Sequence, residues 1–289
     1  MELNPSQLEA LVAIADCGSF EAAARSLHVT PSAVSQRIRA LETSVGQVLV
    51  SRGTPCLPTP RGARLVQLGR QTRLLYDEAG QELGAITSVE LPVAVNADSL
   101  GTWFRGVLAE AADWDATAVR LHVEDEAYSQ ELLRRGDVLA AVTSDPVAVQ
   151  GCAVEPLGAM RYVPAATPEF AARWRTERGL DWAAMPVVTF NDKDDYQRQQ
   201  LKRRGVTGLP PVVHRIPSTS DFREAVRLGL GWAMLPSAHV GPDLASGRLE
   251  RLSGDSIDVP LHWQRWRLDS PRLVALTEAV HRVARQSLA

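Results

Sequence analysis

Residues 19–42 read SFEAAARSLHVTPSAVSQRIRALE, and this stretch decides how the chain begins to fold. Ser19 is a good N-cap, and the alanine-rich segment after it is typical of a short helix that packs closely on its neighbours. A tight turn follows at His28. Thr30 then caps a second helix that has Pro31 at its first position, where the missing N–H costs nothing. Two short helices joined in this way predict a helix-turn-helix.

The second helix has two faces of different chemistry. Val34, Ile38 and Leu41 form one apolar stripe, which predicts an inward face. The other side carries hydroxyls, an amide and guanidiniums, which can reach phosphates and base edges from a helix in the major groove. The predicted DNA-binding residues, including two arginines that follow the helix-turn-helix, are Ser19, Thr30, Ser32, Ala33, Ser35, Gln36, Arg37, Arg39, Arg52 and Arg61. The alternative is an ordinary two-helix hairpin with a solvated polar face.

Segments on either side complete a small N-terminal domain. A first helix is predicted over about residues 5–16, with Gly18 as its C-terminal stop, and it packs on the other two helices. Residues 47–59 contain a short strand and a hairpin tip, which predicts a wing with Arg52 placed to touch a phosphate. A plain β-hairpin that covers the core fits residues 47–59 equally well.

A long helix is predicted to begin at Pro60, after the cap Thr59, and to run to about residue 86. Its apolar positions recur at helical spacing at Leu65, Leu68, Leu75, Ala79 and Ile86. A helix of about 25 residues spans nearly 40 Å, which is too long for one small domain to cover. We expect the stripe to pack against a copy of itself in a dimer. Packing against the C-terminal domain of the same chain is the alternative.

Strands and helices alternate from residue 89 onward, which predicts a parallel, three-layer α/β sheet. A second set of strands is expected near residues 160–166, 187–190, 212–216 and 232–235. The predicted class is α+β multidomain: a winged helix-turn-helix, a linker helix and a bilobed α/β domain like the periplasmic binding proteins. The predicted divisions are residues 1–59, 60–87 and 88–289, with lobe I over about 88–145 plus a late return segment and lobe II over about 146–265.

Composition is that of an ordinary globular protein. The 289 residues are 45% hydrophobic and 22% charged, with a formal net charge of −3. Residues 1–90 contain eight arginines and nine acidic residues, so DNA binding depends on where the arginines lie. No apolar run reaches the roughly 20 residues of a membrane span, and no signal peptide is recognised at the amphipathic N-terminus. Three isolated cysteines fit a reducing compartment, so we expect a cytoplasmic protein without a disulfide or a zinc site: Cys17, Cys56 and Cys152.

Motifs for catalysis are missing from the sequence. It contains no G-x-S-x-G, P-loop or H-E-x-x-H, and its histidines do not cluster as metal ligands. His122 and Glu124 match only the first part of a zinc-deaminase pattern, whose P-C-x-x-C is absent. The tryptophans are predicted to be core residues rather than a base-stacking platform. We therefore expect no enzymatic activity and no cofactor. An α/β enzyme is the alternative, but the sequence offers no candidate nucleophile for it.

The order of these segments resembles the LysR-type transcriptional regulators. The residues that carry the resemblance are GSFEAAARSLHVTPSAVSQRIRALE followed by RGTPCLPTPRGARL, and the resemblance covers the whole chain. QRIRALE, RGTPC, VAVNADSLGTWF and WQRWRLDSP look most like the lysine/arginine-responsive subgroup (ArgP/LysG type). One departure lies in the wing, where Val48-Leu49 stands in place of the Leu-Phe of many members.

The resemblance implies a sequence-specific regulator of amino acid export or metabolism genes. It further implies a homodimer or homotetramer on double-stranded promoter DNA, contact with RNA polymerase, and control by L-lysine or L-arginine. A LysR-type regulator of a different small metabolite is the first alternative. A solute-binding module without DNA function is the second, and the missing export signal disfavours it.

A basic amino acid needs an anion site, acceptors for its α-ammonium and carboxylates for its distal cation. Polar residues follow the predicted strand ends, where ligands of such sheets sit. The candidate effector-binding residues are Asn96, Asp98, Ser99, Thr143, Ser144, Asp145, Asp192, Asp194, Ser220 and Asp221. Helix capping is an open alternative for Asp98 or Ser99 and for the residues before the helix near 220. First-turn placement is the alternative for an acidic residue of 192–195.

Overall fold

The computed structural model describes residues 3–85, 88–124 and 126–289, without the side chains of residues 126–128. The chain forms a winged helix-turn-helix, one long helix and a C-terminal α/β domain of two lobes. The predicted α+β multidomain class is therefore confirmed. Within the described residues, no helix is long and apolar enough to cross a membrane.

Three helices build the N-terminal domain: α1 (Pro5–Cys17), α2 (Phe20–Ser26) and α3 (Pro31–Val45). The Ser19 hydroxyl accepts a hydrogen bond from the Ala22 N–H at 3.1 Å, and the Thr30 hydroxyl accepts one from the Ala33 N–H at 3.2 Å. Each hydroxyl satisfies a backbone donor that a helix N-terminus otherwise leaves unpaired. Both predicted caps are confirmed.

The apolar stripe of α3 faces the interior, as predicted. Val34, Ile38 and Leu41 are at most 2% exposed. They pack with Leu11 and Ile14 of α1 in one three-helix core. Full burial of each such side chain contributes about 1.5–3 kcal/mol. Because this stripe is buried, the opposite side of α3 faces solvent.

The wing consists of the antiparallel strands β1 (Val50–Ser51) and β2 (Leu57–Pro58). Leu49 is fully buried beneath it, whereas Val48 is 66% exposed. A Cβ atom on Gly62 would lie 2.0 Å from the Leu49 carbonyl oxygen, so only glycine permits this close approach. The wing is thus seated against the start of the next helix.

The long helix α4 extends over Pro60–Glu82, and Thr59 caps it as predicted. Ile86, which the predicted stripe included, lies outside the described residues. Leu65 packs against the N-terminal core and Leu74 packs in the core of the C-terminal domain. A second set of apolar side chains on α4 and the turn after it is exposed: Leu68, Leu75, Tyr76 and Leu83. The helix therefore contacts its own C-terminal domain and also presents apolar surface that this domain leaves uncovered.

The first lobe begins with β3 (Val89–Val95), α5 (Ala97–Gly101), α6 (Arg105–Ala111), β4 (Thr117–Val123), α7 (Glu126–Arg135) and β5 (Ala140–Thr143). The second lobe contains β6 (Cys152–Ala166), α8 (Pro168–Arg173), β7 (Arg175–Thr176), β8 (Gly179–Leu180), β9 (Val187–Thr189), α9 (Tyr196–Arg203), β10 (Val213–Arg215), α10 (Thr219–Arg227), β11 (Ala233–Pro236), α11 (Ser237–Ala245) and β12 (Glu250–Arg251). The chain ends with β13 (Ile257–Trp266) and α12 (Pro271–Ser287).

The main sheet has the strand order β11-β6-β13-β5-β3-β4, and β12 also pairs with β6. β3 is parallel to β4 and β5, but β6, β11, β12 and β13 join by antiparallel pairing. The prediction of a parallel sheet is therefore wrong for the part of the sheet that contains β6, β11, β12 and β13. Ile257, Val259 and Leu261 are buried while Asp258 and Pro260 are exposed, the two-residue alternation of an antiparallel strand.

The long strands β6 and β13 connect the two lobes. β13 pairs with β5 at one end, and the end of β6 pairs with β11 at the other. α12 then packs against α6 and β6, which returns the chain to the first lobe. In this return segment the indole N–H of buried Trp263 donates to the Thr277 hydroxyl at 3.2 Å. The core role predicted for tryptophan is confirmed for the five that are buried: Trp103, Trp182, Trp232, Trp263 and Trp266.

Candidate nucleic-acid interface and ligand cavity

The outward side of α3 is available to solvent. Ser32, Gln36 and Arg39 are exposed, and Ser35 and Arg37 are half-buried beside them. Since the three residues of the apolar stripe of this helix are in the core, no rotation of α3 within the fold exchanges the two faces. The geometry is that of a helix whose polar face can enter a groove.

The remaining predicted DNA contacts surround this face. Arg52 on the wing and Arg61 at the start of α4 are exposed, and Ala33 is half-buried. Within the part of the chain that the structure describes, the guanidiniums of Arg37, Arg39, Arg52 and Arg61 form no ion pair. Ser19 and Thr30 already use their hydroxyls as helix caps, but each oxygen can also donate to a phosphate.

A cavity of about 450 Å³ lies between the two lobes. It is bounded by the ends of β3, β5 and β9 together with α7, β6, α10 and β11. Its lining comprises Asn96, Ala97, Asp98, Gln130, Ser144, Asp145, Tyr162, Phe190, Asn191, Lys193, Asp194, Asp195, Tyr196, Phe222 and Met234. This volume is in the range of small-molecule sites.

The charge of this lining favours a cation. Its lining contains four acidic residues and one basic residue: Asp98, Asp145, Asp194 and Asp195, with Lys193. Burial between two lobes weakens solvent screening, so the excess of negative charge acts more strongly than on an open surface. A ligand with one or two positive groups matches this arrangement.

Asp98 connects the first lobe to β6. The Tyr162 hydroxyl donates to Asp98 Oδ2 at 2.8 Å. Asn96 caps α5, since its Oδ1 accepts from the Ser99 N–H at 2.7 Å. The alternative that Asp98 or Ser99 caps this helix is therefore wrong. Ser99 is fully buried, does not line the cavity, and has a hydroxyl without a hydrogen-bond partner among the described residues.

Asp194 orders the loop after β9. Its Oδ2 accepts from the Phe190 N–H at 2.8 Å and from Gln197 Nε2 at 3.0 Å. Burial nevertheless raises the pKa of Asp194 above its ordinary value of 3.8, although the hydrogen bonds from Phe190 and Gln197 oppose the shift. Its carboxylate therefore lacks a full counter-charge, which a cationic ligand can supply.

Aromatic rings form another part of the wall. The rings of Tyr162 and Tyr196 lie 4.6 Å apart between centroids, and those of Phe190 and Phe222 lie 6.1 Å apart. Aromatic faces attract ammonium and guanidinium groups, and the planar guanidinium can also stack on them. The wall and the carboxylates thus favour the same class of ligand.

The segment after β5 crosses between the lobes. Ser144 and Asp145 line the cavity, but Thr143 is fully buried and its hydroxyl accepts from the Asp145 N–H at 3.1 Å. The expectation that Thr143 lines the crevice is therefore wrong. The buried Gln264 of β13 fixes the crossing by donating to the Val147 carbonyl at 2.9 Å.

Besides Ser99 and Thr143, three further predicted effector residues lie outside the cavity. Asp192 has a 79% exposed side chain and pairs with Arg215 at 2.8 Å. Asp221 accepts from the hydroxyl of Ser218, the cap of α10, at 2.6 Å, which supports the capping alternative. Ser220 instead lines a second cavity of about 440 Å³ beside α6 and α11.

Several cavity residues were not identified from the sequence. Tyr162 lies inside a strand, Gln130 and Phe222 lie in helices, and Met234 lies in β11, so each resembled an ordinary element residue. Phe190 and Tyr196 flank the acidic loop, and their position beside it is the only signal in the sequence that could have indicated them.

Sites for a metal ion are absent from the described residues, in which no group of three His, Cys, Asp or Glu side chains could hold one. The three cysteines are free thiols. Burial raises the pKa of the Cys152 thiol to about 12, which keeps it protonated and unreactive at neutral pH.

Two sequence-family profiles match the chain. The profile for the bacterial regulatory helix-turn-helix protein of the lysR family matches residues 5–63, and that for the LysR substrate binding domain matches residues 90–286. Among similar proteins, the lysine export transcriptional regulatory protein LysG of Corynebacterium efficiens is 49% identical over 291 residues, which cover 99% of both chains.

Two solved structures of similar proteins match the chain over nearly its whole length. Full-length LysG from Corynebacterium glutamicum with bound effector Arg is 46% identical, with a TM-score of 0.85 over 99% of each chain. ArgP from Mycobacterium tuberculosis is 40% identical, with a TM-score of 0.89 over 99% of each chain.

Proposed function

This chain belongs to the LysR family of bacterial transcriptional regulators, which bind DNA and are not enzymes, and on that premise we propose that its effector is a basic amino acid, L-arginine or L-lysine. The DNA-binding domain would be residues 1–59, the linker 60–87 and the effector domain 88–289. The regulated genes would be those of amino acid export or metabolism, and the protein would act in the cytoplasm, where promoter DNA and RNA polymerase are found.

One observation carries the choice of effector: the cavity between the lobes has four carboxylates, one ammonium and an aromatic wall. Acidic or purely apolar metabolites would meet repulsion or unpaired charge there. The LysG structure from Corynebacterium glutamicum contains Arg as its effector, which agrees with the chemistry of this lining.

We assign the groups of the ligand to different parts of the lining. The distal cation would approach Asp98 and Asp194 and lie against the tyrosine rings, because charge-assisted hydrogen bonds and stacking then act together. The α-carboxylate would take donors from Ser144 and Lys193. Asn96 would act through the helix that it caps, and Asp145 would neutralise the α-ammonium.

Calorimetric titration of the full chain with each of the twenty amino acids tests this proposal. We expect saturable binding of L-arginine or L-lysine and no measurable heat with L-glutamate or L-leucine. Preferential binding of an acidic or apolar amino acid would refute the proposed effector while leaving the family assignment intact.

Affinity for the basic amino acid should increase with pH through the raised pKa of Asp194. Since burial raises that pKa, the Asp194 carboxyl takes up a proton at a higher pH than an ordinary aspartate does, and a bound cation must displace this proton. Below the raised pKa, affinity should fall by up to about tenfold per pH unit. Calorimetry over a pH series measures the slope, and Asp194→Asn should flatten it. An unchanged slope in that variant would exclude Asp194 as the titrating group.

The linker helix is proposed to form a dimer through the apolar side chains that the C-terminal domain leaves uncovered. Leu75 and Leu83 are 41% and 85% exposed. We expect the double variant Leu75→Glu/Leu83→Glu to halve the mass measured by light scattering. Leu228→Glu is the control, since Leu228, the C-cap residue of α10, is 72% exposed. If both variants keep the wild-type mass, the dimer does not use this face. The mass of the wild-type protein in the same measurement shows whether two dimers form a tetramer.

A further inference from the structure

One side of α4 rests on the effector domain of the same chain. Arg64 Nη2 donates to Gln150 Oε1 at 3.1 Å near the start of the helix. Near its end, the Ser270 hydroxyl donates to Glu78 Oε1 at 2.6 Å. Leu74 is buried in the effector-domain core between these contacts. The helix therefore has an intramolecular interface along most of its length.

The DNA-binding domain is fixed to the other side of the same helix. Val66 of α4 belongs to the N-terminal core. A Cβ atom on Gly69 would lie 2.8 Å from a methyl carbon of Val12 in α1, so the two helices approach closely there. Close packing transmits displacement, so any rotation of α4 against the effector domain carries α3 with it.

Arg70 joins the two sides. Its Nη2 pairs with Asp16 at the end of α1, and its Nη1 pairs with Asp137 Oδ1 at 2.5 Å. Nη1 also donates to the Arg135 carbonyl at 2.9 Å. We call this group, Arg70 with Asp16 and Asp137, the Arg70 clasp. Only 19% of the Arg70 side chain is exposed, so solvent screens these pairs less than open surface pairs.

The interface around the clasp is polar and incompletely paired. Gln67 Oε1 and Gln71 Nε2 are buried without a hydrogen-bond partner among the described residues. Burying a polar group without a hydrogen-bond partner costs free energy, because the group loses the hydrogen bonds that it makes with water when it is exposed. Opening that lets water reach these two groups therefore costs less free energy than opening a fully paired interface would.

The helix α7 connects the clasp to the ligand cavity. Gln130 lines the cavity and donates to the Val147 carbonyl of the interlobe crossing at 3.2 Å. One turn later, Arg134 Nη2 donates to Gln130 Oε1 at 3.0 Å. Asp137 lies two residues after the end of this helix, and a Cβ atom on the intervening Gly136 would lie 2.9 Å from the Cα atom of Gln67 in α4. A ligand that moves Gln130 therefore acts on the element that carries the effector-domain half of the clasp.

We propose that Arg70 is a positioning residue that fixes the DNA-binding domain relative to its own effector domain, and that ligand binding changes this position through α7. The second half of the proposal rests on the proposed function of the cavity. Opening of the clasp would free α4, with the attached DNA-binding domain, to adopt a second orientation and so change the spacing of paired α3 helices on DNA.

Hydrogen exchange of the full chain without any amino acid tests the clasp itself. In Arg70→Gln, the amides of residues 133–139 should exchange about fivefold faster, the effect expected for loss of a partly buried ion pair. Arg73→Gln is the matched control, since the Arg73 side chain is 68% exposed and, among the residues that the structure describes, forms its ion pair with Asp77 on its own helix. Asp137→Asn leaves α4 unchanged and should reproduce the Arg70→Gln result. Wild-type exchange in both clasp variants would overturn the proposal.

The coupling is measured separately, as the ratio of operator Kd values with and without L-arginine. In Arg70→Gln, we expect the factor by which L-arginine changes the operator Kd to be at least threefold smaller than in the wild-type protein. Arg73→Gln should keep the wild-type factor. A wild-type ratio in Arg70→Gln would refute the coupling. If the wild-type protein responds to no amino acid, the proposed function fails, but the exchange experiment still decides whether the clasp exists.

Discussion

Replacing Arg39 with alanine should weaken binding to the operator by about tenfold or more, with the fold intact. Arg39 is exposed on α3, and a guanidinium that contacts a base edge or phosphate contributes about 1–3 kcal/mol. The same change at Arg37 should act in the same direction. Fluorescence anisotropy with a duplex that the wild-type protein selects from a random pool measures both Kd values.

The control for this prediction is Arg178→Ala. Arg178 is exposed in the effector domain, so the variant loses the same charge far from α3. It should keep the wild-type operator Kd, and all three variants should keep the wild-type melting temperature and L-arginine affinity. Equal weakening by Arg178→Ala would indicate a non-specific charge effect, and no weakening by either α3 variant would remove these arginines from the interface.

Replacing Asp194 with asparagine should weaken L-arginine binding by about tenfold or more. Asparagine keeps an oxygen that can accept from the Phe190 N–H, so the loop is preserved and the negative charge is lost. A hydrogen bond to a charged group contributes about 1.5–3 kcal/mol, which sets the expected size. Asp98→Asn should weaken L-arginine binding similarly, because it also removes a negative charge. The oxygen that asparagine keeps can still accept from the Tyr162 hydroxyl.

The matched control is Asp192→Asn, which removes a carboxylate two residues from Asp194 on the same loop. Asp192 lies outside the cavity and pairs with Arg215, so L-arginine affinity should stay within about twofold of wild type. Calorimetry on the three variants decides. Equal losses in all three would mean that the net charge of the loop, rather than the cavity carboxylates, selects the ligand.

The N-terminal domain and the linker helix could be predicted because their signals are local. Ser19, Thr30 and Thr59 each act within three residues of themselves, and the α3 stripe depends only on helical spacing. The antiparallel half of the sheet could not be predicted in this way. Strand β13 pairs with β6 across about a hundred residues, and β13 itself was not recognised from its alternation.

The cavity was predictable at strand ends and nowhere else. Asp98 and Asp145 follow the neighbouring parallel strands β3 and β5, and Asp194 follows β9 in the other lobe, so their positions after strand ends indicated them. Ser99 and Thr143 were misplaced because a shift of one residue in a helix or strand turns a side chain toward the core. Tyr162 enters the cavity from a strand that the sequence marks only as buried, and its contact with Asp98 is purely tertiary.

The measurement that tests the central claim most directly is the sequence preference of the full chain when the polar face of α3 is altered. The wild-type protein should bind its selected duplex at least about a thousandfold more tightly than a scrambled duplex of equal length and salt. In the variant Ser35→Ala/Gln36→Ala, this ratio should fall by about tenfold or more while binding to the scrambled duplex is unchanged. An unchanged ratio in a folded variant would contradict the account, because sequence would then be read by another surface.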